Sequence, residues 1–281
     1  MASNAAAAEQ ALREGDAKRA LESLLPLVRS QPGDARLRIF LFQLLAVLGQ
    51  WQRALDQLAV VGELDAAALP MVQTYREAIA CELLRREVFA GRRAPLLFGE
   101  PETWVALLIE ALLREGRGEA AAGRRLRDEA LEQAPASPGM LGDDTRFEWV
   151  ADADLRLGPT LEVIVNGRYY WLPWSRIARV DVEPPVDLRD AVWMPVRLAF
   201  TNGGEAVGLV PTRYPDTELA AGDALALARR TEWRESPSGL TLGLGQRIVA
   251  TDVGEVALMD LRSVVLDPVA GAAGAPAGAA A

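Results

Sequence analysis

Two aspartates separated by one residue are the side chains in this sequence whose spacing most directly suggests chemistry. Asp152 and Asp154 lie in EWVADADLRLGP (residues 148–159), between a tryptophan and an Arg-Leu-Gly-Pro turn. Such a pair can hold a divalent cation through hard oxygen ligands, or it can supply an aspartyl nucleophile with a neighbouring acid. A site made of this pair with Glu148 or Asp187 would make the protein a metal-dependent hydrolase or phosphotransferase.

The residues around the pair favour a structural turn instead. In an Asp-x-Asp phosphotransferase the pair ends the first strand of a parallel sheet and βαβ units follow, whereas hairpin signals follow here. Arg156 is near enough in the chain to pair with an aspartate, and Gly158 allows the backbone to turn. We therefore predict that Asp152, Asp154, Arg156 and Gly158 form a turn in which an aspartate accepts backbone or arginine hydrogen bonds. The enzyme remains the alternative.

The composition excludes several kinds of active site. The chain has no histidine, which removes Ser-His-Asp and Cys-His nucleophile activation as well as His-ligated zinc. Its single cysteine, Cys81, can form neither an intrachain disulfide nor a Cys-rich zinc site, and we interpret it as a buried small residue. We expect no catalytic residue, no metal and no cofactor.

Charge and hydropathy exclude two kinds of partner. The net charge is −9, and no segment concentrates enough basic residues to follow a phosphate backbone, so we expect no nucleic-acid partner. The first residues lack the basic and apolar regions of a signal peptide, and the longest apolar stretch, IFLFQLLAVLG, is interrupted by Gln43. We expect no membrane partner and a cytoplasmic location.

The first half of the chain repeats itself with an offset of 34 residues, the period of tetratricopeptide repeats. Gly15 matches Gly49 in this alignment, and a third copy is predicted where LREG recurs at residues 113–116. In such repeats glycine allows a tight turn between two helices, and each helix pair leaves an apolar face that the next pair covers. The pattern predicts a tetratricopeptide-like domain over residues 1–138, with six to eight helices and a concave groove.

Residues 139–268 change to the pattern of a mostly antiparallel β domain, so the fold class is α+β. Three hairpins are predicted, with turns at residues 166–167, 202–204 and 252–255, of which the Asn-Gly pair at 166–167 is the strongest signal. The pattern favours six or seven short strands and one helix over residues 216–230. Residues 269–281 are rich in alanine and glycine, and a disordered tail is predicted there.

Aromatic residues are concentrated in this β domain. Most should lie in its core, but an exposed remainder bordered by arginine and proline would be a protein-binding surface, since Trp and Tyr give large contact area and a polar group. The rigid loop PPVDLRDAVWMP is a separate candidate for recognition, and a purely structural role for it is an equal alternative. The predicted partner-binding residues are Tyr170, Trp174, Arg189, Trp193, Arg213 and Tyr214.

Four segments of the second half resemble one protein family. WVADADLRLGPTLEVIVNGRYYWLPWSRI, PPVDLRDAVWMPVRL, VPTRYPDTE and RRTEW occur in order, between about residues 148 and 262, and are similar to the ImpE family, also called TagJ or SciE-type proteins. The family comprises accessory components of bacterial type VI secretion systems, and it too has a helical repeat domain in front.

The resemblance implies a non-enzymatic cytoplasmic adaptor. Its expected partner is the small subunit of the contractile sheath, of the TssB or VipA type, and through it the ClpV-type AAA+ ATPase that disassembles contracted sheath. We expect a short helical segment of that subunit to bind the aromatic and arginine residues of the β domain, or otherwise the groove of the repeats. Two alternatives remain: the Asp-x-Asp enzyme, and a repeat scaffold for another complex.

Overall fold

The structure is a computed structural model that describes residues 2–220, 222–236 and 239–268, and it confirms the predicted α+β fold. The predicted tail over residues 269–281 lies outside the described residues. Seven α-helices precede the sheet domain, as predicted: α1 (Ala2–Arg13), α2 (Ala17–Ser30), α3 (Ala35–Val47), α4 (Trp51–Leu64), α5 (Leu69–Phe89), α6 (Thr103–Gly116) and α7 (Ala120–Gln133). A short helix, α8 (Asp223–Ala226), follows within the sheet domain.

The helices pair as the 34-residue period predicts. Gly15 and Gly49 adopt left-handed backbone conformations, with φ of +85° and +65°, at the turns that join α1 to α2 and α3 to α4. Asp16 caps α2 by accepting the N–H of Arg19 at 2.8 Å. The third turn, between α6 and α7, is centred on Gly118 (φ +82°), whereas Gly116 is the last residue of α6. The predicted alignment of the third copy is therefore wrong by two residues.

The strands form one large sheet and two small ones. They are β1 (Leu96–Leu97), β2 (Gly139–Leu141), β3 (Thr145–Phe147), β4 (Val150–Asp152), β5 (Thr160–Val165), β6 (Arg168–Pro173), β7 (Ile177–Val182), β8 (Trp193–Phe200), β9 (Glu205–Pro211), β10 (Thr231–Glu235), β11 (Thr241–Gly245), β12 (Ile248–Thr251), β13 (Gly254–Ala257) and β14 (Ser263–Leu266). The nine-stranded sheet has the order β1-β6-β5-β9-β8-β7-β14-β2-β3, and the small sheets are β10-β11 and β13-β12-β4.

All three predicted hairpins are present, as β5–β6, β8–β9 and β12–β13. The first turns through Asn166 and Gly167, whose positive φ angles (49° and 69°) match the twist of the flanking strands. The predicted number of strands is wrong, because the described residues after position 138 form thirteen. Several of these strands are only three residues long, too short for an alternating pattern to be visible in the sequence.

The predicted helix over residues 216–230 is also wrong. Two short pieces replace it, a 3-10 turn over Thr217–Leu219 and α8, and the backbone has positive φ at Asp216, Gly222 and Ala228. The segment is held in this shape by charged side chains that bind the ends of α1, α2 and α3, as described below. These tertiary contacts outweigh the helical preference of its alanine and leucine residues.

The large sheet is the middle layer of the molecule. One face packs against the helices through Tyr169, Trp171 and Trp193, and the other packs against the small sheet β13-β12-β4 and its loops. The predicted domain boundary at residues 138–139 falls just before β2. However, β1 comes from the helical half and pairs in parallel with β6, so the two halves share one core.

Candidate functional site

The two aspartates lie in the interior, each with its carboxylate fully engaged. Asp152 ends β4 and accepts the N–H of Asp154 at 2.8 Å and two N–H groups of Arg247 at 2.7 and 2.9 Å. Asp154 accepts the backbone N–H groups of Arg156 (3.0 Å) and Gly243 (3.0 Å), and the Arg156 guanidinium holds both its oxygens, the shortest contact being 2.6 Å. The aspartates thus accept the backbone and arginine hydrogen bonds that the predicted turn requires. Each carboxylate oxygen of Asp152 and Asp154 has a partner.

A chain of buried charges continues from this turn into the helices. Arg247 also lies 3.2 Å from Glu162 of β5, and Glu162 receives two N–H groups of Arg85 of α5, at 2.6 and 2.9 Å. The Tyr169 hydroxyl donates to the same carboxylate, and Trp171 Nε1 donates to the Tyr169 oxygen at 2.6 Å. Three separate parts of the fold, α5, β5 and the segment before β12, are thereby joined through one carboxylate.

Burial and the arginines act in opposite directions on the pKa values of these acids. Burial raises the pKa of Asp152 to about 6, and Arg247 offsets only part of this. Burial also opposes ionisation of Glu162, but Arg85 and Arg247 outweigh it and hold the pKa of that carboxyl below its usual value. The pKa of Asp154 is likewise lowered, because Arg156 and the backbone N–H groups outweigh burial. The network is one of buried ion pairs, in which each of the three carboxylates contacts an arginine.

The described residues contain no group of three or more His, Cys, Asp or Glu side chains arranged to hold a metal ion. None of the helices in the described part of the chain is long and apolar enough to cross a bilayer.

Arginines of the sheet domain cap equivalent helix ends in the first two repeats. Arg229 donates to the carbonyls of Leu12 (2.6 Å) and Arg13 (3.1 Å) at the end of α1. Arg213 donates to Val47 O at 2.6 Å and lies within 3.5 Å of Ala46 O at the end of α3. The two pairs of carbonyls are 34 residues apart, so both arginines compensate the negative end of a helix dipole at the same point of the repeat.

The opposite charge lies at the start of a neighbouring helix. Asp223 Oδ2 accepts the backbone N–H of Lys18 at 3.1 Å in the first turn of α2, where the helix dipole favours an anion. The segment between β9 and β10 therefore carries charges complementary to the ends of the repeat helices. This explains why residues 216–230 do not form one continuous helix.

Four of the six predicted partner-binding residues lie in the interior. Trp174, Trp193, Arg213 and Tyr214 are all at most 4% exposed, so they cannot present a surface in this fold. Trp193 packs between the rings of Trp51 and Tyr75 of the helices, with centroids 6.0 and 5.5 Å away. The prediction that these four face a partner is corrected: their size and their polar groups serve the contact between helices and sheet.

The remaining two, Tyr170 and Arg189, are partly exposed. Arg189 pairs with Asp187 and lies 4.8 Å over the ring of Tyr75, so its charge is already compensated. Tyr170 is on the opposite face of β6 from Tyr169, as strand alternation predicts.

Tyr170 belongs to an aromatic surface that the sequence did not reveal. Phe98, which follows β1, lies 4.6 Å from the Tyr170 ring and 5.1 Å from the ring of Phe200 at the end of β8. An adjacent cavity of about 590 Å³ is lined by Phe98, Phe200, Arg176 and Thr201 among others, and we call it the aromatic cavity. Arg176 shapes its wall by donating to Phe98 O at 2.9 Å and to Glu102 at 3.0 Å. Its residues come from distant segments, so no local motif could have identified it.

The predicted groove of the helical repeats is occupied by the protein itself. The 3-10 turn Leu188–Ala191 packs against α3, and Trp193 and the face of β6 that carries Tyr169 fill the space beside α4 and α5. The second surface expected for a partner is thus largely covered by the sheet domain.

Comparisons with known proteins agree with the resemblance seen in the sequence. The sequence model of the ImpE protein family matches residues 144–265. The type VI secretion system accessory component TagJ of Pseudomonas aeruginosa is 55% identical over 261 residues, covering 93% of this chain and 91% of that protein. The crystal structure of protein VPA1032 from Vibrio parahaemolyticus superposes with a TM-score of 0.83 at 27% identity, covering 92% of this chain and 97% of that one.

Proposed function

This chain belongs to the ImpE family, and from that premise we propose that it is a cytoplasmic accessory component of a bacterial type VI secretion system. The observation that carries the proposal is the 55% identity to TagJ of Pseudomonas aeruginosa over 93% of the chain. At that identity the two chains share a fold over the matched 93% of this chain and 91% of the other, and a shared role is the simplest expectation.

The more specific proposal is that the protein acts as an adaptor without catalysis. It binds a short amphipathic segment of the small sheath subunit, of the TssB or VipA type. Through that subunit it is linked to sheath assembly, or to disassembly by a ClpV-type ATPase. The interior charges support this view, because the acids that could do chemistry are neutralised by Arg85, Arg156 and Arg247.

The aromatic cavity is the binding surface that we favour. Two half-buried rings, Phe98 and Phe200, line a space large enough for apolar side chains, Tyr170 packs against Phe98 beside it, and the Arg176 guanidinium adds a charged group at its wall. Aromatic side chains next to arginine are the composition that concentrates binding energy at protein interfaces. Of the partner-binding residues predicted from the sequence, Tyr170 adjoins this cavity through its contact with Phe98.

The test is direct binding of the purified small sheath subunit to the full-length chain, since the two halves share a core and should not be separated. Thr201→Trp places a large ring at the mouth of the cavity from an exposed position. Thr145→Trp makes the same change on β3, at the opposite edge of the large sheet, and is the matched control. We expect Thr201→Trp to weaken binding about tenfold or more and the control to leave it unchanged.

The two kinds of failure can be distinguished. If the unaltered protein does not bind the sheath subunit, the proposed partner is wrong. If both tryptophan variants bind as the unaltered protein does, the aromatic cavity is not the binding surface, whereas the proposed accessory role still stands.

The two alternative functions have tests of their own. A hydrolase that uses Asp152 and Asp154 would need these carboxylates to release their arginines, so a folded Asp154→Asn variant should then lose a Mg²⁺-stimulated turnover. In an adaptor the same substitution lowers only the stability. A scaffold for another complex would be recognised by neighbouring genes that do not encode a secretion system.

A further inference from the structure

One edge strand of the small ribbon β10-β11 has a free hydrogen-bonding edge. Arg230 O accepts the N–H of Gln246 at 3.0 Å, and the N–H of Ser236 donates to Leu240 O at 2.7 Å, which fixes the alternation of hydrogen bonds along the ribbon. By this alternation Thr231, Trp233 and Glu235 direct their N–H and C=O groups away from β11. The opposite edge of the ribbon is used, since the N–H of Gly243 donates to Asp154.

The outer edge of β10 is also exposed. Residues 232–235 are all exposed, and Trp233 is 42% exposed although its ring lies 5.5 Å from that of Tyr214. No hydrogen bond of the described residues outside the ribbon involves the backbone of Trp233 or Glu235. A five-residue strand with an open edge is a template for pairing with another strand.

The order of side chains on β10, Thr-Glu-Trp-Arg-Glu, is complementary to itself. When two copies run antiparallel about Trp233, Glu232 of each lies directly opposite Arg234 of the other, and Thr231 lies opposite Glu235. The two Trp233 rings are then neighbours across the axis. Opposite charges and aromatic pairs in directly opposed positions both stabilise strand pairing.

We propose that the free edge of β10 is a homodimer interface, at which β10 pairs with β10 of a second copy about a two-fold axis at Trp233. The outward groups of Thr231, Trp233 and Glu235 fall into hydrogen-bonded pairs in this register, giving about six backbone hydrogen bonds. The two ribbons become one four-stranded sheet. The contact is isologous and closed, so pairing stops at two copies.

A second copy fits this edge better than an unrelated strand does. Charged side chains on an edge strand discourage pairing with arbitrary strands, and here they require a partner that carries the opposite order of charge. The chain's own β10 has that order. Arg230 also pairs with Glu232 within the chain, but this pair is exposed, with side chains 54% and 46% accessible, and does not prevent a contact with Arg234 of the second copy.

The dimer should be reversible and sensitive to salt. A strand-to-strand contact buries less than the roughly 1,600 Å² of a standard stable interface, so association depends on protein concentration. The ion pairs are exposed at the rim of the new sheet and are screened at high ionic strength.

The experiment is sedimentation velocity of the full-length chain over a roughly hundredfold range of concentration, at low and at high salt. Glu232→Arg alone places like charges opposite each other at both symmetric positions, and we expect it to raise the dissociation constant about tenfold or more. Arg234→Glu alone should do the same. The double variant Glu232→Arg with Arg234→Glu reverses both charges, restores complementarity and should dimerise like the unaltered protein. Circular dichroism checks that each variant is folded.

Two controls make the result specific. Glu255→Arg applies the same charge reversal to an exposed residue of another edge strand, β13, and should leave dimerisation unchanged. Differently tagged copies of the unaltered protein and of the double variant should each self-associate and not mix, because the mixed pair opposes like charges. The proposal is overturned if the chain is monomeric over the whole range, or if the single reversals dimerise as the unaltered protein does.

Discussion

Replacing Glu162 by glutamine is the sharpest test of the buried charge network. The substitution keeps the shape of the side chain but removes the one negative charge shared by Arg85 and Arg247, whose side chains are 5% and 3% exposed. After the change Arg247 still contacts Asp152 at 2.7 Å, whereas the remaining ion pair of Arg85 is with Glu82 at 3.4 Å, beside its hydrogen bond to Arg213 O at 2.8 Å. Two buried cations thus share less countercharge.

The expected cost follows from this geometry. Removing one partner of a buried ion pair typically costs about 3–5 kcal/mol, because the other charge is left desolvated without compensation. Glutamine can still accept the Tyr169 hydroxyl and one N–H of Arg85, which places Glu162→Gln at the lower end, about 3 kcal/mol. Glu183→Gln is the matched control, since its pair with Arg197 is 3.5 Å long and has side chains 55% and 72% exposed. We expect no measurable change there.

The assay is urea unfolding followed by far-ultraviolet circular dichroism and by tryptophan fluorescence. Because helices and sheet share a core through Trp171 and Trp193, the two signals should change together. If Glu162→Gln lowers the free energy of unfolding by less than about 1 kcal/mol, the reasoning about the buried charge network is refuted. Separate transitions of the two signals in the unaltered protein would refute the reasoning about the shared core.

Three further outcomes are expected. Burial raises the pKa of Asp152 to about 6 from the ordinary 3.8. Between pH 3.8 and about 6 the folded state therefore binds more protons than the unfolded state does. The contribution of Asp152 to the stability of the fold then falls as the pH rises. The stability of the unaltered protein relative to Asp152→Asn should therefore increase as the pH is lowered from about 7 to about 5, measured by urea unfolding at each pH; an unchanged difference would contradict the raised pKa. Gly49→Ala should lower the free energy of unfolding by about 1 kcal/mol more than Gly118→Ala does. Both glycines have positive φ, but only the Cβ added at position 49 would meet a side chain, that of Glu218, at 2.5 Å. Equal melting temperatures of the two variants would rule out that contact. Burial raises the pKa of Cys81 to about 12, so its thiol should react with a disulfide reagent at pH about 8 only when the protein unfolds, and rapid labelling of the folded protein would show that it is accessible.

For the paired aspartates, one contact could be predicted from neighbouring residues and the other could not. The turn around Asp154 and Arg156 could be predicted from the sequence, because these two residues are neighbours in the chain. The contact of Asp152 with Arg247 could not, since 95 residues separate them. Both carboxylates are bound by arginines in the folded protein, and the local motif showed only one of these two contacts.

The surface proposed for the partner depended even more on tertiary structure than the aspartate contacts did. Alternation along β6 correctly separated Tyr170 from Tyr169. Which face of β6 would be covered depended on where the helices dock, and no local pattern encodes that. Trp193 is therefore interior, and Phe98 from the helical half completes the surface around Tyr170.

The sequence by itself determined the features that short-range physics controls. The 34-residue period places a glycine where two helix turns need positive φ, and Asn166 with Gly167 specifies the first hairpin, because these conformations depend on a few neighbouring residues. The tertiary structure alone decided the shape of residues 216–230, the joining of β1 to the large sheet and the burial of the charges. Each of these depends on contacts between residues far apart in the chain, such as Arg213 with the end of α3, and their free energy exceeds the local preferences that a sequence displays.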